Sequence, residues 1–271
     1  MTQKSILYIA SDLLPFSNEN SISRYASNIP KTMLSMGHDV RVFMPRFGTI
    51  NERRYQLHEV IRLSGMNLSI NDVDQPLLIK VASTVDKMQV YFIDNEEYFK
   101  RKALYEDKEG NFFMDNDERA LFFAKGVLET IKRLNWIPDI VHLHGWMSAL
   151  VPLYMRTYYK EDSIYQNLKI VNSLYNVPFK GNLDKNLINK IKLDGIEEHH
   201  LAHLEEPNFT NLNKIAIDFS DYIVKIDASL PEEIEDYALE NKSKLLKFHP
   251  AEEGMKLYEQ FHKESILEKV S

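Results

Sequence analysis

Short, nearly continuous apolar runs alternate with longer stretches of helical period along this chain. Ser5–Ala10, Asp39–Met44, Leu77–Ala82, Met88–Ile93, Asp139–Leu143, Leu168–Ser173 and Asp221–Ile226 read as strands. Ile22–Met36, Asn116–Leu134, Ala149–Tyr159 and Leu212–Phe219 fit helices. Strands this apolar, separated by helices, predict a parallel sheet covered on both faces. Gly37 reads as a left-handed C-cap to the first helix and completes a βαβ opening. The Asn-rich breaks at Asn67–Asp74 and Asp107–Asn116 read as loops. Pro250 marks the last boundary. The expected organisation is a Rossmann-like α/β domain over 1–250 and a C-terminal helix over 251–271. In that helix Met255, Leu257, Tyr258, Phe261, Ile266, Leu267 and Val270 form an apolar stripe packed back on the domain.

Composition narrows the class. A 44% hydrophobic fraction over 271 residues suffices for a real core. A net charge of −7 argues against nucleic acid or an anionic membrane as partner, since both want clustered basic residues. The absence of cysteine excludes disulfides, thiolate metal sites and a Cys nucleophile, and fits a reducing cytoplasm. The opening apolar run, Ile6–Ala10, is too short for a signal-peptide core, and no stretch reaches membrane-spanning length. A cytoplasmic protein without cofactor, metal, nucleic-acid or membrane partner is the expectation.

Candidate chemistry gathers at predicted strand ends. Asp139–Leu150 carries His142, His144 and Trp146 to the top of the sheet, where open α/β folds bind ligands. Both histidines share one strand face, with His144 nearer the crevice; packing explains His142 at least as well. The first strand–loop–helix turn, Ser11 to Arg24, has no glycine to let backbone N–H groups approach a pyrophosphate, and Glu19 disfavours an anion. Asn18, Asn20 and Ser21 are good N-cap residues, so an ordinary capped helix is favoured over a polar loop that binds a neutral sugar. His199 and His203 stand four apart on a predicted helix face, a spacing that can bind metal. No third ligand is apparent, and a solvated helix is favoured. Asp115, Asp117 and Glu118 open a helix, where acids are stabilised anyway, and Glu232-Glu233 after Pro231 reads as another helix start. No Gly-x-Ser-x-Gly supports a hydrolase elbow.

Several ordered segments resemble the N-terminal domain of bacterial glycogen/starch synthases, the retaining glucosyltransferases of family five. They are Ile6–Pro15, Lys31–Gly48, Ile93–Arg101, Leu104-Tyr105, Asp115–Arg119, Asp139–Leu150 and Val171–Gly181. The resemblance implies a single half of a GT-B glycosyltransferase, and an activity of glucosyl transfer from ADP-glucose to an α-1,4-glucan. It also implies ligand-facing cleft positions at Asn18, Asn20, Ser21, Tyr105, His144, Trp146, Tyr175 and Asn176.

Departures from the family pattern fall on several of those positions and on their neighbours. The family's phosphate loop, Lys-Thr-Gly-Gly-Leu followed two residues on by Asp, aligns with Asn18, Glu19, Asn20, Ser21, Ile22 and Arg24. Gly145 replaces an aspartate, Tyr175 replaces the histidine that contacts the transferred sugar, and Asp227 replaces a serine. Asn176 is kept. The family's second domain, which supplies the Arg and Lys on the donor phosphates, has no counterpart before Ser271. The expectation is therefore no catalytic residue and no activity from the isolated chain. It would be a binding or regulatory homologue for a sugar nucleotide, a glucan or a protein partner, with a homodimer or other partner at the face left by the missing domain. The alternatives are a catalytic subunit completed by another chain, and a purely structural or interaction scaffold.

Overall fold

The first apolar run becomes the centre of the sheet. Residues Ile6 to Ala10 of β1 (Ser5–Ala10) are fully buried. There follow α1 (Ser21–Ser35), β2 (Asp39–Pro45), α2 (Glu52–Tyr55), β3 (His58–Glu59), β4 (Met66–Ile70), β5 (Val73–Ser83), β6 (Gln89–Asp94) and α3 (Glu96–Phe99). The second half adds α4 (Asn116–Leu134), β7 (Ile140–His144), α5 (Val151–Arg156), β8 (Lys169–Leu174) and α6 (Leu187–Lys192). Then come α7 (Phe209–Phe219), β9 (Tyr222–Lys225), α8 (Glu232–Glu240) and β10 (Leu245–Leu246). The computed structural model describes residues 3–246, so Pro250 and the helix expected over 251–271 lie outside the described residues.

Strand order is β10-β9-β8-β7-β1-β2-β6-β5-β3, parallel from β10 to β6. The chain leaves β1 for β2 on one side and returns through β7 on the other, so the switch of direction lies between β1 and β7. Right-handed crossovers then place α1 on the opposite face from α5 and α7. Accordingly α1 packs on β1 and β2, whereas α5 packs between α4 and α7.

The expected Rossmann-like parallel sheet is present, extended at one side by β5, which runs antiparallel to β6 and to β3. Two finer expectations need correction. Asn67–Asp74 belongs to a hairpin in which β4 pairs β5, with Asn71 and Asp72 at φ 50° and 59°. That two-residue turn needs positive φ twice and selects Asn and Asp, so its polarity imitates a loop. The helix expected over Ala149–Tyr159 is confined to α5, preceded by a 3₁₀ turn at Trp146–Ser148.

α1 ends as its sequence predicts. Gly37, at φ +89°, donates its amide to Leu34 O, and the His38 amide reaches Met33 O, the paired bonds of a Schellman motif. At the far side of the sheet, the buried Asp94 carboxylate receives both Arg46 and Lys80 at 3.0 Å and ties β2, β5 and β6 together.

A second buried ion cluster anchors α6 to α4. Lys190 Nζ lies 2.6 Å from Asp117, 2.9 Å from Glu118 and 3.1 Å from Asp184, and Asp117 is fully buried. Burial opposes the Lys190 charge, but these carboxylates hold its pKa above the ordinary lysine value. Removing one partner of a buried pair leaves an uncompensated charge and costs about 3–5 kcal/mol. Lys190→Met should therefore lower unfolding free energy in urea by ~3 kcal/mol. A K190M/D117N double variant should recover at least half of that loss. Equal midpoints for K190M and the parent protein would show that the cluster contributes nothing.

Candidate ligand-binding site

At the switch point the ends of β1 and β7 are tightly packed. The Ser11 amide donates to His144 O at 3.0 Å, joining the end of β1 to the end of β7. Gly145 stands at φ +87°, and a Cβ there would lie 2.2 Å from Ser11 Oγ and 3.1 Å from Ile22 Cδ1. Ser11 Oγ donates to Asp12 Oδ2 at 2.9 Å. Burial raises the Asp12 pKa above the ordinary carboxylate value, while hydrogen bonds from Ser11 and Asn20 oppose the rise. The Tyr105 hydroxyl is turned inward beside Ser11 and Asp12, and burial together with the Asp12 charge pushes its pKa far above the usual tyrosine value.

The start of α1 is satisfied internally as well. Asn20 is the N-cap: its side chain accepts from the Ser23 amide at 2.8 Å, and Ser23 Oγ accepts from the Asn20 amide at 2.9 Å. This reciprocal capping box engages two of the free amides of the first turn. Ser21 Oγ donates to Asp227 Oδ2 at 3.1 Å, and the Asn176 amide donates to the same oxygen at 2.8 Å. The Asp227 carboxylate thus stands at the N-terminus of α1, where the macrodipole favours a negative group. Asn18 is exposed and offers its carbonyl to Ser23 Oγ at 2.9 Å. Glu19 is exposed and pairs with Arg24 at 3.2 Å.

His144 and Tyr175 meet, but inside the protein. His144 Nδ1 lies 2.6 Å from the Tyr175 hydroxyl, and His142 Nε2 lies 2.7 Å from Ser173 Oγ. All four side chains are buried, and the two imidazole centroids are 4.3 Å apart over the ring of Tyr8. Tyr175 therefore directs its hydroxyl into the sheet.

Beside this sealed seam an open groove of about 1210 Å³ runs between the segment before α4 and the segment after β8. Its floor is aromatic. Trp146 packs against Tyr105 at 4.8 Å and Phe179 at 4.9 Å, and Phe112 stacks on Phe179 at 4.9 Å with an interplanar angle of 11°. Glu106, Asp107, Glu109 and Lys180 stand at the rim. Asp107 accepts from the Asn111 side chain and amide, which hold its pKa below the usual range.

The predicted site residues therefore separate. Ser21 and Asn176 bond to Asp227, whereas Asn20 caps α1 through Ser23; His144 and Tyr175 are sealed; of the predicted residues only Tyr105 and Trp146 line the groove. Phe112 and Phe179 escape sequence reasoning, since isolated aromatics in irregular segments carry no periodicity. The signal available was their place beside Gly110 and Gly181, both at φ +82°.

The histidine spacing leads nowhere. His199 and His203 lie on two separate 3₁₀ turns, Glu198–His200 and Ala202–Glu205, in place of one helix face. His199 faces Glu197, whereas His203 faces Tyr237 and Asp218. Among the described residues no group of three or more His, Cys, Asp or Glu side chains could hold a metal ion. No helix among them is long and apolar enough to cross a membrane.

Comparison with known proteins agrees with this architecture. The family model described as the starch synthase catalytic domain matches residues 5–247. The glycogen synthase of Chlorobium limicola is 37% identical over 188 residues, which are 69% of this chain and 38% of that protein. That of Chlorobaculum parvum is 32% identical over 235 residues, 84% of this chain and 47% of that protein. The chain thus spans less than half the length of these relatives. Among solved structures, the catalytic domain of Starch Synthase IV from Arabidopsis thaliana, bound to ADP and acarbose, superposes with a TM-score of 0.75 at 17% identity. That match covers 90% of this chain and 51% of the other. The chain belongs to the starch synthase catalytic domain family and forms one Rossmann-like half of its GT-B fold.

Proposed function

We propose that this chain is a non-catalytic member of the family, one that binds an α-1,4-glucan in the aromatic groove and takes no sugar nucleotide in the crevice. The observation that carries this reading is the contrast between the two sites. The groove offers what a neutral sugar chain needs, namely flat apolar rings for its C–H faces and polar groups at the rim for its hydroxyls. Three carboxylates at that rim disfavour an anionic ligand.

The crevice is unsuited to a nucleoside diphosphate. Asp227 already occupies the start of α1, Glu19 adds a second negative charge nearby, and no glycine opens the turn. A family aspartate in place of Gly145 has no room beside Ser11, and Tyr175 is committed to His144.

Calorimetric titration with maltoheptaose should give a saturable signal with Kd of about 1 mM or tighter, corresponding to roughly −4 kcal/mol or better. ADP-glucose should give none at millimolar concentration. Heat from ADP-glucose alone would reverse the proposal. Phe179→Ala should weaken maltoheptaose binding about ten-fold, roughly 1.4 kcal/mol, while the protein stays folded. Gly145→Asp, which installs the family's residue, should lose about 1–3 kcal/mol of stability from a backbone conformation open essentially to glycine alone. It should gain no ADP-glucose binding by the same calorimetry; a gain would show that the crevice is still a donor site.

A further inference from the structure

The groove wall that carries Tyr105 has almost no secondary structure. Between α3 and α4 the described chain forms one isolated bridge, Glu106 to Phe112, so the carbonyls of this segment must find other partners. Beyond the bridge's own bonds, they find them on side chains of the first turn of α4. Arg119 Nη1 donates to Leu104 O at 2.7 Å and to Asn116 Oδ1 at 2.5 Å. Asn116 Nδ2 donates to Tyr105 O at 2.8 Å, and the Phe113 amide reaches the same carbonyl at 2.9 Å.

The Arg119 guanidinium is fully buried, with Phe47, Phe99 and Phe113 ring centroids at 5.5, 5.3 and 5.7 Å. Its Nε and Nη2 make no hydrogen bond among the described residues. Burial and the nearby Arg101 charge lower its pKa to about 10, so it remains a cation at neutral pH. Burying this side chain is costly, and its hydrogen bonds run through Nη1 alone. Those bonds hold Leu104 and, through Asn116, Tyr105.

We propose that Arg119 is the positioning residue of the groove, fixing through Leu104 O and the Asn116 amide the backbone that presents Tyr105 to a bound ligand. The ligand-dependent part rests on the glucan-binding reading above; the effect on the backbone does not.

Arg119→Met suits the aromatic cage in size and removes the buried charge, but it leaves Leu104 O and Asn116 Oδ1 without their donor. The variant should fold cooperatively with a lowered urea midpoint. Hydrogen exchange at the Phe113 amide should rise at least ten-fold, with amides in the middle of α4 unchanged, and maltoheptaose affinity should fall at least ten-fold. Arg119→Lys, which can still donate to Leu104 O, should restore most of both. Should R119M not fold, Asn116→Ala, which removes the donor to Tyr105 O, is measured in the same way. Wild-type exchange at Phe113 in a folded variant overturns the proposal. If the parent protein binds no maltoheptaose, the glucan reading fails by itself and the exchange rates alone decide the role of Arg119.

Discussion

Where β1 passes into its turn, the Ser11 amide is bonded to His144 O, and the Ser11 hydroxyl lies 2.2 Å from where a Cβ on Gly145 would stand. Much of the molecule follows from that close approach. β1 and β7 pair along their whole length, and because position 145 has no side chain the Ser11 hydroxyl and Ile22 of α1 pack directly against the chain where β7 ends. In an open α/β sheet this is the place where a ligand would normally enter between strand ends. Here Ser11 and Ile22 take the space beside Gly145, and the polar side chains around it turn to one another.

The electrostatics agree with the sterics. The start of a helix is a ready anion seat, and in this protein it receives a carboxylate of the protein's own. Asp227 links three segments that arrive from different parts of the sequence: the start of α1, the turn after β8 and the end of β9. An external phosphate would have to displace those bonds and approach Asp12 and Glu19 as well. The groove carries no such conflict, because a neutral ligand is indifferent to the acids at its rim and gains from the rings beneath it.

The sheet was legible from the chain because its central strands are apolar on both faces, and Gly37 and the acids before α4 marked helix ends by their backbone chemistry. The hairpin at Asn71-Asp72 was not, since a turn that requires positive φ selects the same residues as a loop. The pattern of departures was also readable: Gly145, Tyr175 and Asp227 stood out against the family motif. What each side chain does in their place was not, because the Tyr175 to His144 bond spans 31 residues and the Ser21 to Asp227 bond spans 206. Phe112 and Phe179 lie in irregular segments, and only the folded chain stacks them.

The helix that organises the groove illustrates how such segments are held without regular structure. α4 is buried on most of its surface, a condition usually met by apolar residues all round. Yet Asn116, Asp117, Arg119, Lys125 and Thr130 are all buried on it. Thr130 bonds within the helix, but the others reach outward. Asn116 and Arg119 hold the 104–105 backbone, Asp117 holds Lys190 of α6, and Lys125 reaches Ser69 O at 2.7 Å and Asp194 at 2.5 Å. Each of these side chains is tolerable inside only because its partner is fixed, and each partner is fixed because the side chain is there. A buried polar group specifies one geometry where an apolar contact would accept several. α4 therefore sets the positions of the β4–β5 hairpin, α6 and the groove wall together, and the wall can be well placed while remaining irregular.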